Sequence, residues 1–262
     1  MYWRALQPIL ILVGLAISYW ALKKRTATSP LSTEQKSAVG LAAFIGAALG
    51  AKLPFLFTGD PSLGSWIWLS DGKTILGGIC GGYVAVELAK RAVGIQVRTG
   101  DNFAVPVAVA IAAGRLGCFA GGCCFGEVTM LPIGVHFPLS GDAVGTLRHP
   151  AQLYEFIFHV TAIAWLLPAE RYQWWSGRRL TIYLTSYLIY RFVSEWIRPE
   201  PHILLGLTAY QLAAAVMLAC LLFFEISQSN GGQEDKLQAT RRPTSENIKA
   251  QTENQANGDF KS

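Results

Sequence analysis

Apolar runs of about twenty residues recur along this chain, and most of its charges fall between them. That is the pattern of helices crossing a bilayer, each long enough to span about 30 Å of hydrocarbon. Only 15% of the 262 residues are charged, against about 25% in a typical soluble domain. The formal charge of +5 invites a nucleic-acid reading. The basic residues, however, sit in short loops and a polar tail, where membrane topology places them. A membrane is therefore the expected partner, and no nucleic acid is expected.

Seven spans are expected: Trp3 to Leu22, Ser37 to Phe57, Lys73 to Val93, Phe103 to Phe119, Pro150 to Leu167, Leu180 to Ile197 and His202 to Phe224. The fold class is an all-α polytopic bundle. The first run ends in Lys23, Lys24 and Arg25 without a small-residue cleavage site, so it reads as a retained span and not as a signal peptide. Lys36, Lys90, Arg91, Arg98, Arg171, Arg178 and Arg179 fall in alternate loops with that first basic cluster. The intervening loops carry Asp60, Asp71, Glu127 and Asp142. Excess Lys and Arg mark cytoplasmic loops. The expected orientation is N-terminus outside and C-terminus inside, in a bacterial inner membrane. A transmembrane domain over residues 1–226 is followed by residues 227–262, polar enough to read as a disordered cytoplasmic tail.

Ionisable groups inside a span cost about 2.5–3.5 kcal/mol each, so each needs a reason. Tyr187, Arg191, Glu195 and Arg198 follow one another at spacings that share a helical face. Arg191 and Glu195 form an expected i, i+4 pair, and the stripe as a whole points to a polar cavity. Arg115 lies between Gly114 and Gly117 near the end of the fourth run; its planar fork suits a phosphate. The fifth run opens on His149, Pro150, Gln152, Tyr154 and Glu155, with His149 at the mouth as a candidate base. The deduced topology puts all three groups in the outer half of the bilayer. Gly77 with Gly81, and Gly78 with Gly82, have the spacing that lets helices touch closely. Lys73, at the outer end of the same run, is a candidate for a lipid headgroup or for snorkelling.

Cys118, Cys123 and Cys124 cluster at the end of the fourth run, on the oxidising side. Packing, a disulfide and a reactive thiol site beside Arg115 all remain open for them. No further ligands at a familiar spacing accompany them, so no metal is expected.

The segments Gly114 to Phe119, His149 to Glu155, Tyr187 to Pro199 and Gly206 to Gln211, in that order, resemble the prolipoprotein diacylglyceryl transferase family. The resemblance implies a seven-span enzyme that moves a diacylglyceryl group from phosphatidylglycerol to the lipobox cysteine of a preprolipoprotein, in lipoprotein biosynthesis, without cofactor. It implies catalytic roles for Arg115, His149, Tyr187, Arg191 and Glu195. It implies substrate-binding roles for Arg115, Gln152, Tyr154, Glu155 and Arg198, which Lys73 joins on its position alone. The third run departs from the family pattern: Gly72, Lys73 and Thr74 stand where the family has a His-Gly-Gly start. Cys118, Gly121 and Cys123 replace two Asn and a Glu of the glycine–arginine signature. A transferase with another acceptor and a non-catalytic lipid-binding homologue are the alternatives this leaves.

Overall fold

Each of the seven apolar runs contributes one α-helix to a computed structural model that describes residues 2–27, 29–58, 74–95, 97–138 and 142–241, the side chains of 2–4, 53–58 and 227–241 excepted. The helices are α1 (Tyr2–Ala27), α2 (Thr33–Thr58), α3 (Ile75–Ala92), α4 (Asp101–Gly121), α5 (Ala151–Arg171), α6 (Arg179–Ser194) and α7 (Ala209–Arg241). A short two-stranded hairpin, β1 (His202–Leu204) with β2 (Leu207–Thr208), is the only sheet among the described residues. Residues 1–218 form one compact unit, which holds the candidate site; residues 219–262 form a second.

Burial runs opposite to that of a soluble protein. The largest fully buried side chains include Tyr183, Tyr187, His159, Gln152, Gln211, Glu155, Glu195 and Thr208. Leu12, Tyr19 and Trp20 of α1 and Leu41, Phe44 and Leu49 of α2 point outward. Such an arrangement is stable only where the surroundings are hydrocarbon. This is an all-α membrane protein. Among the described residues, Ala5–Ala27, Asp101–Gly121 and Ala209–Ile226 are long and apolar enough to cross a bilayer by length and composition alone. The polar groups carried by α5 and the 16 residues of α6 keep those two helices below that standard.

Small residues set the helix spacing. Gly46 and Gly50 of α2 lie against Gly77 and Gly81 of α3 so closely that a Cβ on Gly50 would meet the Gly77 carbonyl, and one on Gly81 would come within 2.7 Å of the Gly50 Cα. The expected packing role of this glycine run is thus met at Gly77 and Gly81. Gly14 of α1 is in the same kind of contact with Ala113 of α4, and Ser18 donates to the Pro106 carbonyl at 2.7 Å. The ends of α1 and α5 meet where Arg25 pairs with Glu170 at 2.7 Å. At the starts of α4 and α6, Asp101 pairs with Arg179 at 3.3 Å and accepts from the Gly177 amide at 2.6 Å. Loop residues Val97, Arg98, Gln173 and Ser176 join these two pairs around one polar hollow, so α1 and α5 end where α4 and α6 begin.

Two boundaries differ from the sequence expectation. The seventh run does not begin as helix at His202. Leu205 (φ +54°) and Gly206 (φ +71°) form a tight hairpin turn whose central residues both have positive φ, as type I′ geometry demands. The helix starts at Ala209, where Thr208 and Gln211 form a reciprocal capping box: the Gln211 amide N–H donates to Thr208 Oγ1 at 3.2 Å and the Thr208 N–H to Gln211 Oε1 at 3.0 Å. At its other end α7 keeps helical backbone to Arg241, past the boundary expected at residue 226.

Candidate active site at the meeting of three helix ends

The polar site is framed by backbone before any side chain enters it. Gly126 N–H donates to the His149 carbonyl at 2.8 Å, His149 N–H to the Glu127 carbonyl at 3.0 Å, and Glu127 N–H to the Ile197 carbonyl at 2.8 Å. These bonds tie the segment after α4, the residue before α5 and the turn after α6 into one layer. Gly126 is required there, since a Cβ would come within 2.5 Å of the Ile197 carbonyl oxygen. Arg148 pins the layer from outside by donating to Asp142 at 2.8 Å and to the Gly126 carbonyl at 3.2 Å. The Asp142 carboxylate raises the Arg148 guanidinium above its ordinary pKa.

Beneath this layer, Glu155 is the hub. Its Oε2 pairs with Arg115 Nη2 of α4 at 2.8 Å and with Arg198 Nη2 at 3.2 Å. Its Oε1 accepts from the Tyr187 hydroxyl of α6 at 2.7 Å and lies 3.9 Å from His159 Nε2, one turn further along α5. Arg191 Nη2 pairs with Glu195 Oε2 at 2.7 Å, and Thr208 Oγ1 donates to the other Glu195 oxygen at 3.3 Å. Three buried guanidiniums thus face two buried carboxylates. Each arginine keeps a buried N–H donor without a partner: Arg115 Nε, Arg191 Nη1 and Arg198 Nε. Unpaired buried donors are costly, and together with the excess positive charge they make a receptor for an anion.

The expected residues do not all come together. Arg115, Glu155, Tyr187, Arg191, Glu195 and Arg198 come together as above. Gln152 is fully buried but serves the cysteine segment, donating from Nε2 to the Cys123 carbonyl at 2.5 Å. His149 and Tyr154 form their own pair at the mouth, 3.1 Å between Nδ1 and the phenol oxygen. Lys73 lies outside the described residues. The four-residue stripe ends differently from the single helical face expected of it. The α-helix stops at Ser194, Glu195–Ile197 tighten into a 3₁₀ turn, and Arg198 is extended (φ −108°, ψ 144°). Pro199 imposes that extended backbone on the residue before it, and it is this bend that swings Arg198 towards Glu155.

His159, Tyr183 and Thr208 belong to the site although the sequence reading passed over them. The Tyr183 hydroxyl is 2.9 Å from His159 Nδ1. The spacings Glu155–His159 and Tyr183–Tyr187 were the available signal: both are i, i+4. Cys118, Cys123 and Cys124 are free thiols, not a disulfide, with Sγ atoms all within 4.8 Å of one another. Hydrogen bonds with Cys118 and Cys123, then the charges of Arg115 and Arg198, hold the Cys124 thiol below its ordinary pKa.

An apolar hollow of about 470 Å³ opens between α1, α2, α3, α4 and α6. Gly78 and Gly82 of α3 line it, and it runs from Ala51 and Thr74 at one end of the helices to Glu87 and Gly100 at the other. The second glycine pair of α3 lies less tightly against α2, with Cβ positions no nearer than 3.3 Å to Ala43 and Ala47, and borders the cavity as well.

A family model described as prolipoprotein diacylglyceryl transferase matches residues 7–226. A protein of Clostridium tetani (strain Massachusetts / E88) named phosphatidylglycerol–prolipoprotein diacylglyceryl transferase is 32% identical over 200 residues, which are 73% of this chain and 80% of the relative. One of the same name from Wolbachia sp. subsp. Brugia malayi (strain TRS) is 32% identical over 248 residues, 87% of this chain and 91% of the relative. Another, from Wolbachia pipientis subsp. Culex pipiens (strain wPip), is 29% identical over 232 residues, 83% and 85% of the two chains.

Proposed function

The chain belongs to the prolipoprotein diacylglyceryl transferase family, and from that premise we propose that it transfers the diacylglyceryl group of phosphatidylglycerol to the lipobox cysteine thiol of a preprolipoprotein at the outer face of a bacterial inner membrane. It is a membrane transferase. The observation that carries the reading of its site is the set of three buried guanidiniums facing two carboxylates, each guanidinium with a donor to spare. A phosphodiester brings one negative charge and free acceptor oxygens to that set.

In the reaction, the acceptor thiol loses its proton and its sulfur attacks the glyceryl carbon that carries the phosphate oxygen. A C–S bond forms and the C–O bond breaks. The electron pair leaves with glycerol phosphate, whose negative charge rises by one. Arg115, Arg191 and Arg198 are best suited to meet that added charge, because donors fixed in place before the reaction need no reorganisation during it. Glu155, Glu195 and Tyr187 hold the guanidiniums in position. His149, with Nδ1 on the Tyr154 hydroxyl, has Nε2 left to accept the thiol proton. The acyl chains fit the apolar hollow beside Gly78 and Gly82.

We place all seven helices across the bilayer, with the N-terminus and the Glu155 site outside and α7 leading inward. The loop charges support this placement, as does the common end shared by the last residues of α4, the first of α5 and the turn after α6. The test is mass spectrometry of a lipobox peptide incubated with purified protein and phosphatidylglycerol. A diacylglyceryl mass gain that disappears in Arg115→Ala and Arg191→Ala is expected. Absence of the product with folded wild-type protein would overturn the reading.

A further inference from the structure

We propose that Cys118, Cys123 and Cys124 form a three-thiolate site for a thiophilic d10 cation, zinc(II) or copper(I). All three Sγ atoms lie within 4.8 Å of one another. Two thiolates on one zinc, each at about 2.3 Å, can be at most about 4.6 Å apart and are closer in a tetrahedron. The set is therefore within a small side-chain rotation of a ligand shell. Thiolates select soft cations of this kind over the hard cations that oxygen ligands take.

The end of α4 builds the cluster. Gly122, in the left-handed region (φ +68°), caps the helix and turns the chain back, so that the Cys123 N–H donates to the Cys118 carbonyl at 3.1 Å. Cys124 then also takes a positive φ of +61°. That backbone conformation costs a residue with a Cβ about 1–2 kcal/mol. Packing does not account for it, because Cys124 is exposed. Fully buried Gln152 fixes the turn through the Cys123 carbonyl, and the Oε1 of the same amide is buried without a partner. Among the described residues no fourth His, Cys or carboxylate joins the three. One coordination position is thus left for water or an added thiol, as in the zinc sites that keep a ligand position open. On binding, each S–H gives its proton to solvent and a sulfur–metal bond replaces it; no atom changes oxidation state. The site stands apart from the transferase reading and does not depend on it.

The full-length protein, purified in detergent without chelator or reductant, is analysed for metal content. It is then alkylated before and after addition of zinc(II) or copper(I), with each cysteine followed by peptide mass spectrometry. About one equivalent of zinc or copper per chain, or protection of Cys118, Cys123 and Cys124 by one added ion while exposed Cys80 and Cys220 stay reactive, supports the site; which ion protects identifies the metal. Cys118→Ser, Cys123→Ser and Cys124→Ser should each weaken binding at least ~10-fold, with Cys80→Ser as the control. Undiminished alkylation of the three thiols in wild-type protein overturns the proposal, whatever the variants do to folding. A disulfide between two of them in the isolated protein, with no metal bound, overturns it as well.

Discussion

Glu155 does more for the site than any other side chain, because Arg115, Arg198 and Tyr187 all end on its two oxygens. Removing one member of a buried ion pair costs about 3–5 kcal/mol, since the partner stays buried and uncompensated. Glu155→Ala is therefore expected to lower the melting temperature in detergent and abolish transfer together. Arg115→Lys should fold and melt nearly as the wild type yet transfer poorly, because an ammonium keeps the charge and loses the planar fork. Equal activity of Arg115→Lys and wild type in the lipobox peptide assay would remove the phosphate role from Arg115. For His149 the test is the shape of the pH–rate profile. A base must be unprotonated to work, so an enzyme that depends on one loses kcat/KM as pH drops. His149→Gln should lower the plateau ~10²–10⁴-fold and erase that acid limb. A retained acid limb in the variant assigns the base elsewhere, with His159 the next imidazole to test. The charged members of the site were legible in the sequence because a charge inside an apolar run is an anomaly that calls for a partner. His159 and Tyr183 were not, because a histidine and a tyrosine within runs add little charge, and their significance lies in contacts between helices. Arg198 was legible as a residue but not as a neighbour of Glu155, since its reach depends on the bend that Pro199 imposes.

The elements show the same division. Helix number and order follow directly from the apolar runs. Packing by small residues follows from the four-residue spacing in α3. The spacing could not tell which glycine pair meets α2 more tightly and which also borders the cavity, because Gly77 with Gly81 and Gly78 with Gly82 obey the same rule. The structure separates them, and the separation is testable. A Cβ on Gly81 meets the Gly46 carbonyl and comes within 2.7 Å of the Gly50 Cα. Gly81→Leu must therefore push α2 and α3 apart; overpacking costs about 1–3 kcal/mol or more, read as a lower melting temperature. A Cβ on Gly82 comes no nearer than 3.3 Å to the Ala43 carbonyl, and the residue lines the hollow. Gly82→Leu should lower the melting temperature less than Gly81→Leu and raise the KM for phosphatidylglycerol by filling the space its acyl chains need. A Gly82→Leu enzyme with unchanged KM would mean that the lipid does not lie against α3. The start of the last run is one place where the apolar pattern and the structure part. Ile203, Leu204 and Leu205 continue its apolar character, and only Gly206 and the Thr208–Gln211 capping pair betray the hairpin before it.

At the scale of the whole molecule, the decisive quantity is the side of the bilayer on which the Glu155 site opens. Two independent lines bear on it. The basic loops are a statement about insertion, since Lys and Arg resist translocation. The folded chain is a statement about packing. The layer linking Gly126, His149 and Ile197 lies at the end of α4, the start of α5 and the end of α6, whereas the Arg25–Glu170 and Asp101–Arg179 pairs join the opposite helix ends. Insertion thus decides which of two chemically distinct ends faces out, and an error in it would invert both together. Exposed single cysteines read this directly. Val144, in the segment between α4 and α5, is 99% exposed, and Ser176, between α5 and α6, is exposed as well. With wild-type labelling as the baseline, Val144→Cys should react with a membrane-impermeant maleimide in cells whose inner membrane is intact. Ser176→Cys should react only after that membrane is opened. The reverse pattern would put Glu155 and its arginines in the cytoplasmic half, away from any exported acceptor. Labelling of both positions in intact cells would mean that α5 does not cross at all. Either result would break the proposed topology while leaving the ion pairs as they are. The chemistry of the site and its placement in the cell are thus separable claims, and only the second depends on how the chain inserted.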